Sequence, residues 1–161
     1  MNFRTKILTA GQLAAWREAQ RAAGRRVVAT NGCFDLLHLG HVTYLEAARN
    51  LGDALLVAVN SDASVRALKG PGRPINPEGD RAAVLAALES VDAVYVFPEP
   101  DALAFLRLTR PDVYAKGGDY TLETINQEER RFVESYGGRV AVVGGVPGRS
   151  TTLLAQRLVG G

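Results

Sequence analysis

Short apolar runs alternate along the chain with longer segments in which apolar residues recur every three or four positions. The run Leu55-Leu56-Val57-Ala58-Val59 is apolar at consecutive positions, which is typical of a parallel strand covered on both faces. Runs of this kind predict five strands, at residues 27–31, 55–60, 93–97, 112–115 and 139–143.

The longer segments are bounded by residues that start or stop helices. Leu13, Trp16 and Ala19 recur at helical spacing before Gly24, and Asp101 is a candidate N-cap for a later helix. Residues 61–79, rich in Gly, Pro and basic side chains, predict a basic loop or a short helix running into one. Helices are predicted at about 10–23, 41–50, 81–89, 101–109, 126–136 and 153–158.

Strands that alternate with helices at this spacing predict a parallel sheet with helices on both faces and right-handed crossovers. A chain of 161 residues and 17.2 kDa is long enough for one core and short for two. The fold class is therefore predicted as α/β, a single-domain Rossmann-like doubly wound sheet of about five parallel strands. We assign residues 1–161 to that one domain.

Composition removes several classes of function. The formal net charge of +2 is too small to indicate a nucleic-acid partner. A single cysteine, Cys33, excludes an internal disulfide and a cysteine-only metal site. No apolar run approaches the roughly 18 residues that span a bilayer, and the first residues lack the apolar core of a secretory signal. We therefore expect a cytoplasmic protein with no membrane partner.

Four polar stretches follow predicted strands, at residues 31–41, 61 onward, 116–119 and 144–152. In a doubly wound sheet, ligands bind outside the carboxyl ends of the strands. Turn residues would satisfy folding at these places. Folding alone does not require two histidines, two lysines and an arginine there, so we expect a ligand site.

His38 and His41 are three residues apart at a predicted helix start, so they share a face of its first turn. Gly40 between them lets a ligand approach the backbone, and free N–H groups at a helix start favour an anion. Zinc would need further Cys or His ligands, so no protein-held metal is predicted. The alternative, that both histidines cap the helix and bond to nearby backbone, stays open at this point.

Three further groups suit an anion. Ser150 and Thr151 begin the last helix and can hold phosphate oxygens, although a plain helix cap is equally compatible with them. Lys69 and Arg73 form either a solvated basic loop or part of the site. Lys116 precedes two glycines, which allow backbone and ammonium to approach one ligand.

The sequence pattern favours neither a covalent nucleophile nor a redox cofactor. Cys33 lacks an evident base partner, and no Ser-His-Asp order, catalytic carboxylate pair or dinucleotide glycine fingerprint is convincing. A set of cationic and hydrogen-bond donors without a nucleophile suits phosphoryl or nucleotidyl transfer, in which positioning and charge neutralisation supply most of the catalysis.

Asn31-Gly32-Cys33-Phe34-Asp35 leading into His38-Leu39-Gly40-His41 resembles the signature of the HxGH nucleotidyltransferase superfamily. More narrowly, the chain resembles the adenylyltransferases that act on D-glycero-β-D-manno-heptose 1-phosphate. In many of those relatives the domain is fused to a sugar kinase, so the chain resembles a free-standing form. The supporting stretches are residues 57–62, 68–70 with 73–74, 76–78 with Arg81, Lys116-Gly117-Gly118-Asp119-Tyr120, and 150–152.

The resemblance implies that ATP and a heptose 1-phosphate give ADP-heptose and pyrophosphate, with Mg²⁺ carried by the nucleotide phosphates. It also implies a homodimer and a role in the inner core of lipopolysaccharide or another heptose-bearing surface glycan. Implied catalytic residues are His38, His41, Lys69 and Arg73; nucleotide-binding residues are Thr30, Asn31, Gly32, Phe34, Gly40, Ser150 and Thr151; acceptor-binding residues are Asp35, Lys116 and Asp119.

Two rival interpretations stay open. The first is a cytidylyltransferase that uses CTP and a polyol phosphate such as glycerol 3-phosphate. The second is a nucleotide-binding regulatory module without turnover. Residues 126–136 contain none of the motifs that indicate the heptose branch, so a different acceptor stays open if that segment contacts the sugar.

Overall fold

The computed structural model describes residues 1–160 as one sheet of five parallel strands, in the order β3-β2-β1-β4-β5. None of the helices in that part of the chain is long and apolar enough to cross a bilayer. The strands are β1 (Val27–Gly32), β2 (Ala54–Asn60), β3 (Ala93–Phe97), β4 (Val113–Lys116) and β5 (Arg139–Val142). After a 3-10 turn at Phe3–Lys6, the helices are α1 (Ala10–Ala22), α2 (Leu39–Arg49), α3 (Asp62–Lys69), α4 (Glu78–Ala86), α5 (Leu103–Thr109), α6 (Gln127–Ser135) and α7 (Thr151–Val159).

Two hydrophobic clusters, one on each side of the sheet, confirm the doubly wound prediction. One cluster contains Leu13 of α1, Phe105 of α5 and Val133 of α6. The other contains Leu45 of α2 and Leu85 of α4. Strand β2 is buried along its whole length, as its unbroken apolar run predicts. The strand order reverses between β1 and β4, and doubly wound folds bind their ligands at this switch point.

The helix boundaries differ from the predicted ones where local caps decide them. Residues 61–79 contain a real helix, α3, because the Ser61 hydroxyl accepts a hydrogen bond from the Ser64 N–H. Helix α7 begins two residues earlier than predicted because Ser150 caps it. Ala102 is the N-cap residue of α5, although the Asp101 carboxylate still accepts from the Leu103 N–H at 3.0 Å.

Candidate active site

A cleft of about 740 Å³ opens at the carboxyl ends of β1 and β4. Eleven of the fourteen site residues that the sequence predicts line it, whereas Thr30, Asp35 and Arg73 do not. The fold thus brings all four polar stretches to one place, the second through Lys69 alone. The eleven are Asn31, Gly32, Phe34, His38, Gly40, His41, Lys69, Lys116, Asp119, Ser150 and Thr151.

His38 occupies the N-cap position of α2, and its Nδ1 accepts a hydrogen bond from the Gly40 N–H at 3.1 Å. The capping alternative therefore applies to this histidine. An Nδ1 atom that accepts must be unprotonated in the neutral ring, so the ring carries its hydrogen on Nε2. Capping and ligand binding are compatible, because they use different nitrogens of His38.

His41 lies in the first turn of α2, with its ring centroid 3.9 Å from that of His38 and 5.4 Å from that of Phe34. Its Nδ1 atom is buried without a hydrogen-bond partner in residues 1–160. A hydrogen on Nδ1 would therefore lack an acceptor, and neutral His41 also carries its hydrogen on Nε2. The two rings together offer two Nε2–H donors at the start of one helix.

The pKa values of both imidazoles lie below the usual 6.5. Burial, and then the neighbouring His38, lower the pKa of His41 from 6.5 to about 4. Burial, and then the charge of Arg149, lower the pKa of His38. An anion bound between these residues would favour the charged forms of both rings.

We expect this titration to appear in the pH dependence of stability. Because the pKa of His41 is lower in the folded than in the unfolded state, unfolding takes up a proton at mildly acidic pH. The contribution of neutral His41 to the free energy of unfolding should be complete above pH 6.5 and should be lost as the pH falls toward 4. Thermal unfolding across this range should show a smaller loss in His41→Asn, and an equal loss in both proteins would contradict the assignment.

Gly40 and Arg149 shape the nucleotide side of the cleft. A Cβ atom at Gly40 would lie 2.9 Å from the His38 ring and 3.3 Å from the Arg149 Cβ, so only glycine fits without displacing the ring. Arg149 also lines the cleft, and it is not among the site residues that the sequence predicts. Its position immediately before the predicted Ser150 cap was the available signal.

The opposite side of the cleft is built around Lys116. Its ammonium donates to Asn31 Oδ1 at 2.9 Å and lies 5.3 Å from the Tyr114 ring centroid and 5.1 Å from that of Tyr120. Burial lowers the pKa of Lys116, and the charge of Glu129 acts in the other direction. Lys116 is thus a cation held in place by one amide and two aromatic rings.

Tyr44 forms the floor beneath Lys116. Its hydroxyl donates to the Ala115 carbonyl at 3.0 Å and is also hydrogen bonded to Thr30, which places Thr30 under the cleft rather than in its lining. A Cβ atom at Gly117 would lie 2.6 Å from the Tyr44 ring. The first glycine after Lys116 is therefore required by packing, which the sequence alone had attributed to ligand approach.

Asp35 and Arg73 hold a loop instead of lining the cleft. The Asp35 carboxylate, 3% exposed, accepts from Arg73 Nε at 2.7 Å and from the Ile75 and Asn76 N–H groups at 2.9 Å. Burial raises the pKa of Asp35, but these hydrogen bonds outweigh it and the pKa lies below its usual value. The loop after α3 is anchored by this pair, while Lys69 at the end of α3 reaches the cleft.

Arg81 joins the loops around the cleft. Its guanidinium donates to the carbonyls of Asn76, Cys33 and Asn60 at 2.7–2.9 Å and pairs with Asp62 at 2.8 Å. The residue is 2% exposed, so it acts inside the protein rather than on a ligand. Its contacts fix the ends of β1 and β2 relative to α4.

A second cleft, of about 710 Å³, lies at the amino ends of β1, β4 and β5. Arg17 donates there to the Thr109 and Arg110 carbonyls and pairs with Asp112, so it satisfies the carboxyl end of α5. Folding explains this contact set, and we place no site there. The arginines in its lining are Arg17, Arg21, Arg26, Arg110 and Arg139.

Comparison with known families agrees with the fold and the cleft. The profile described as "Cytidylyltransferase-like" matches residues 29–157, which include every cleft residue named above. The chain therefore belongs to the cytidylyltransferase-like family.

Curated relatives narrow the similarity further. The chain is 50% identical over 159 residues to the Bifunctional protein HldE of Syntrophotalea carbinolica, covering 99% of this chain and 32% of that protein. It is 53% identical over 153 residues to the Bifunctional protein HldE of Methylobacillus flagellatus, covering 95% of this chain and 31% of that one. The chain thus spans about a third of the length of these relatives.

Solved structures share the architecture. A lipopolysaccharide core biosynthesis protein from Thermoplasma volcanium is 31% identical with a TM-score of 0.62, covering 76% of this chain and 98% of that one. The pantoate-beta-alanine ligase of Francisella tularensis has a TM-score of 0.59, covering 91% of this chain and 68% of that one. At 14% identity the ligase shows the fold alone.

Proposed function

We propose that the protein is an adenylyltransferase that transfers AMP from ATP to D-glycero-β-D-manno-heptose 1-phosphate, giving ADP-heptose and pyrophosphate. The observation that carries the proposal is the layout of the cleft. The paired histidines at the start of α2 lie on one side, and the Lys116 ammonium, bonded to Asn31, lies on the other. The resemblance of residues 116–120 to the heptose branch, and the identity of about half to HldE proteins, support this acceptor.

The chemistry assigned to this layout is an in-line displacement. A phosphate oxygen of the sugar phosphate attacks the α-phosphorus of ATP, a new P–O bond forms, and the bond to the pyrophosphate oxygen breaks. His38 and His41 would donate from Nε2 to oxygens around the α-phosphorus as charge develops there. The start of α7, with Ser150 and Thr151, would hold the remaining phosphates. Lys116 would orient the attacking phosphate, so the step needs no covalent enzyme intermediate.

Mg²⁺ fits this site as a companion of the nucleotide rather than as a resident ion. Within residues 1–160, Asp119 is the one carboxylate in the cleft lining, and no cluster of three metal-ligating side chains occurs. Hard divalent cations favour several oxygen ligands, which the triphosphate can supply. We derive no step from a protein-held metal.

Substrate pairs distinguish the proposal from its rivals. Pyrophosphate release should be measured with ATP or CTP against both anomers of the heptose 1-phosphate and against glycerol 3-phosphate. The proposal expects the highest kcat/KM for ATP with the β-anomer. Preference for CTP with glycerol 3-phosphate would instead indicate the polyol cytidylyltransferase. Nucleotide binding without release from any pair would indicate a regulatory module.

The cellular setting belongs to the same proposal. We infer a cytoplasmic enzyme that acts as one domain over residues 1–161 and pairs as a homodimer, with ATP and a sugar phosphate as its partners. Cell fractionation tests the cytoplasmic location, and light scattering of the purified protein tests the homodimer.

A further inference from the structure

A chain of buried hydrogen bonds runs from α6 to the cleft. The Glu129 carboxylate accepts from the Ala102 N–H at 2.9 Å and lies 2.9 Å from the Tyr114 hydroxyl. That hydroxyl lies 2.7 Å from Asn31 Oδ1, which also accepts from Lys116 at 2.9 Å. Glu129 is 5% exposed and Tyr114 is fully buried, so water does not compete for the contact between these two side chains.

The Tyr114 hydroxyl stands at the centre of this chain and has one hydrogen for two acceptors. It can donate to Asn31 Oδ1 or to Glu129, and not to both at once. When it donates to Asn31, the amide oxygen is held by two donors, Tyr114 and Lys116. The Asn31 NH₂ group then faces the other way and is free for a ligand, while the Lys116 ammonium is held beside it.

We propose that Tyr114 and Glu129 are positioning residues that orient the Asn31 amide and the Lys116 ammonium for the acceptor phosphate. This inference rests on the proposed function, because it assigns Lys116 to the acceptor. Neither side chain lines the cleft, so each acts through Asn31 and Lys116. The charge of Glu129 adds an attraction that favours the charged form of Lys116.

The network connects residues 126–136, which contain none of the motifs that indicated the heptose branch, to the site. Helix α6 begins beside Asn126, whose side chain accepts from the Glu128 and Glu129 N–H groups. This cap fixes the first turn of α6, and that turn places Glu129 behind β4. Residues 126–136 therefore reach the acceptor side through one buried carboxylate rather than by direct contact.

Tyr114→Phe tests the inference most cleanly, since it removes the hydroxyl and keeps the buried ring under Lys116. One lost hydrogen bond in a buried site weakens binding by about tenfold. We therefore expect KM for the heptose 1-phosphate to rise about tenfold while kcat changes by less than about threefold, since the contact serves ground and transition states alike.

Tyr136→Phe is the matched control. The Tyr136 hydroxyl donates to the Pro111 carbonyl at 2.9 Å, near the amino end of β4 and away from the cleft. This variant loses a comparable hydrogen bond and should leave KM unchanged. An equal rise in KM for both variants would reduce the effect at Tyr114 to a general loss of stability and overturn the inference.

Glu129 offers a test by conservative rescue. In Glu129→Gln the amide oxygen can still accept from Ala102, and the NH₂ group can donate to the Tyr114 oxygen. The Tyr114 hydrogen is then directed to Asn31, so KM should stay within about twofold of the wild type. Glu129→Leu leaves the Tyr114 oxygen and the Ala102 N–H without their partner, so the hydroxyl is no longer held where it donates to Asn31. KM should therefore rise as in Tyr114→Phe, and combining the two should add little. Equal KM values for the Gln and Leu variants would overturn the inference.

A spectroscopic measurement separates this inference from the proposed function. The side-chain NH₂ pair of Asn31 can be assigned in a ¹⁵N NMR spectrum by its absence in Asn31→Ser. Tyr114→Phe should shift that pair and Tyr136→Phe should not. If the wild type does not turn over the heptose phosphate, the proposed function fails, and this shift alone decides the inference. An unmoved Asn31 pair would overturn it.

Discussion

His38→Ala and His41→Ala should each lower kcat for AMP transfer by roughly 10²-fold or more, because donors to charge that develops in a transition state have effects of that size. The two rings lie 3.9 Å apart between centroids at the start of α2, with their planes tilted by 30°, so their Nε2–H groups can act on one ligand. Steady-state kinetics at saturating ATP and sugar phosphate measure the loss. Near-normal turnover in both variants would remove the catalytic role.

His38→Asn separates catalysis from helix capping. Asparagine is a good N-cap residue, and its Oδ1 can replace the Nδ1 that accepts from Gly40 at 3.1 Å. This variant should recover most of the stability that His38→Ala loses, about 1 kcal/mol for a cap, without recovering kcat. Recovery of kcat together with stability would mean that His38 acts as a cap alone.

Arg81→Met should lower the free energy of unfolding by about 3–5 kcal/mol, because several acceptors would lose their donor at a cost of about 1–3 kcal/mol each. The substitution would leave the Asn60 and Cys33 carbonyls and the Asp62 carboxylate without their donor. Because those groups belong to the loops around the cleft, substrate binding should weaken as well. Chemical denaturation monitored by fluorescence measures the stability change.

Arg66→Met is the matched control for that experiment. Arg66 is an exposed residue of the neighbouring helix α3. Its substitution removes the same charge and shortens the side chain by the same amount. Its substitution should change the free energy of unfolding by less than about 0.5 kcal/mol. A loss at Arg81 no larger than that at Arg66 would contradict the role of Arg81 in joining the loops.

The order of the strands and helices and most of the cleft residues could be predicted, because both leave local patterns in the sequence. The unbroken apolar run at 55–60 predicted a buried strand, and the structure places it at the interior of the sheet. His38, Gly40 and His41 follow a strand directly, so the edge rule for doubly wound sheets predicted a place for them at the cleft, and they line it. Serine caps at Ser61 and Ser150 changed helix boundaries without altering the topology.

Long-range contacts carried no such signal. Asp35 and Arg73 are 38 residues apart, and nothing local indicates that they bond to each other and hold a loop. Tyr114 and Glu129 are 15 apart on different elements, and each looks like an ordinary strand or helix residue in the sequence. The partner of a buried polar side chain is decided by tertiary packing, which a local pattern does not encode.

The most direct test of the central proposal is identification of the product by mass spectrometry. Purified protein, ATP, Mg²⁺ and D-glycero-β-D-manno-heptose 1-phosphate should give ADP-heptose and pyrophosphate in equal amounts, and His41→Ala should slow both together. AMP and pyrophosphate without ADP-heptose, or no conversion by folded protein that binds ATP, would contradict adenylyl transfer to this sugar.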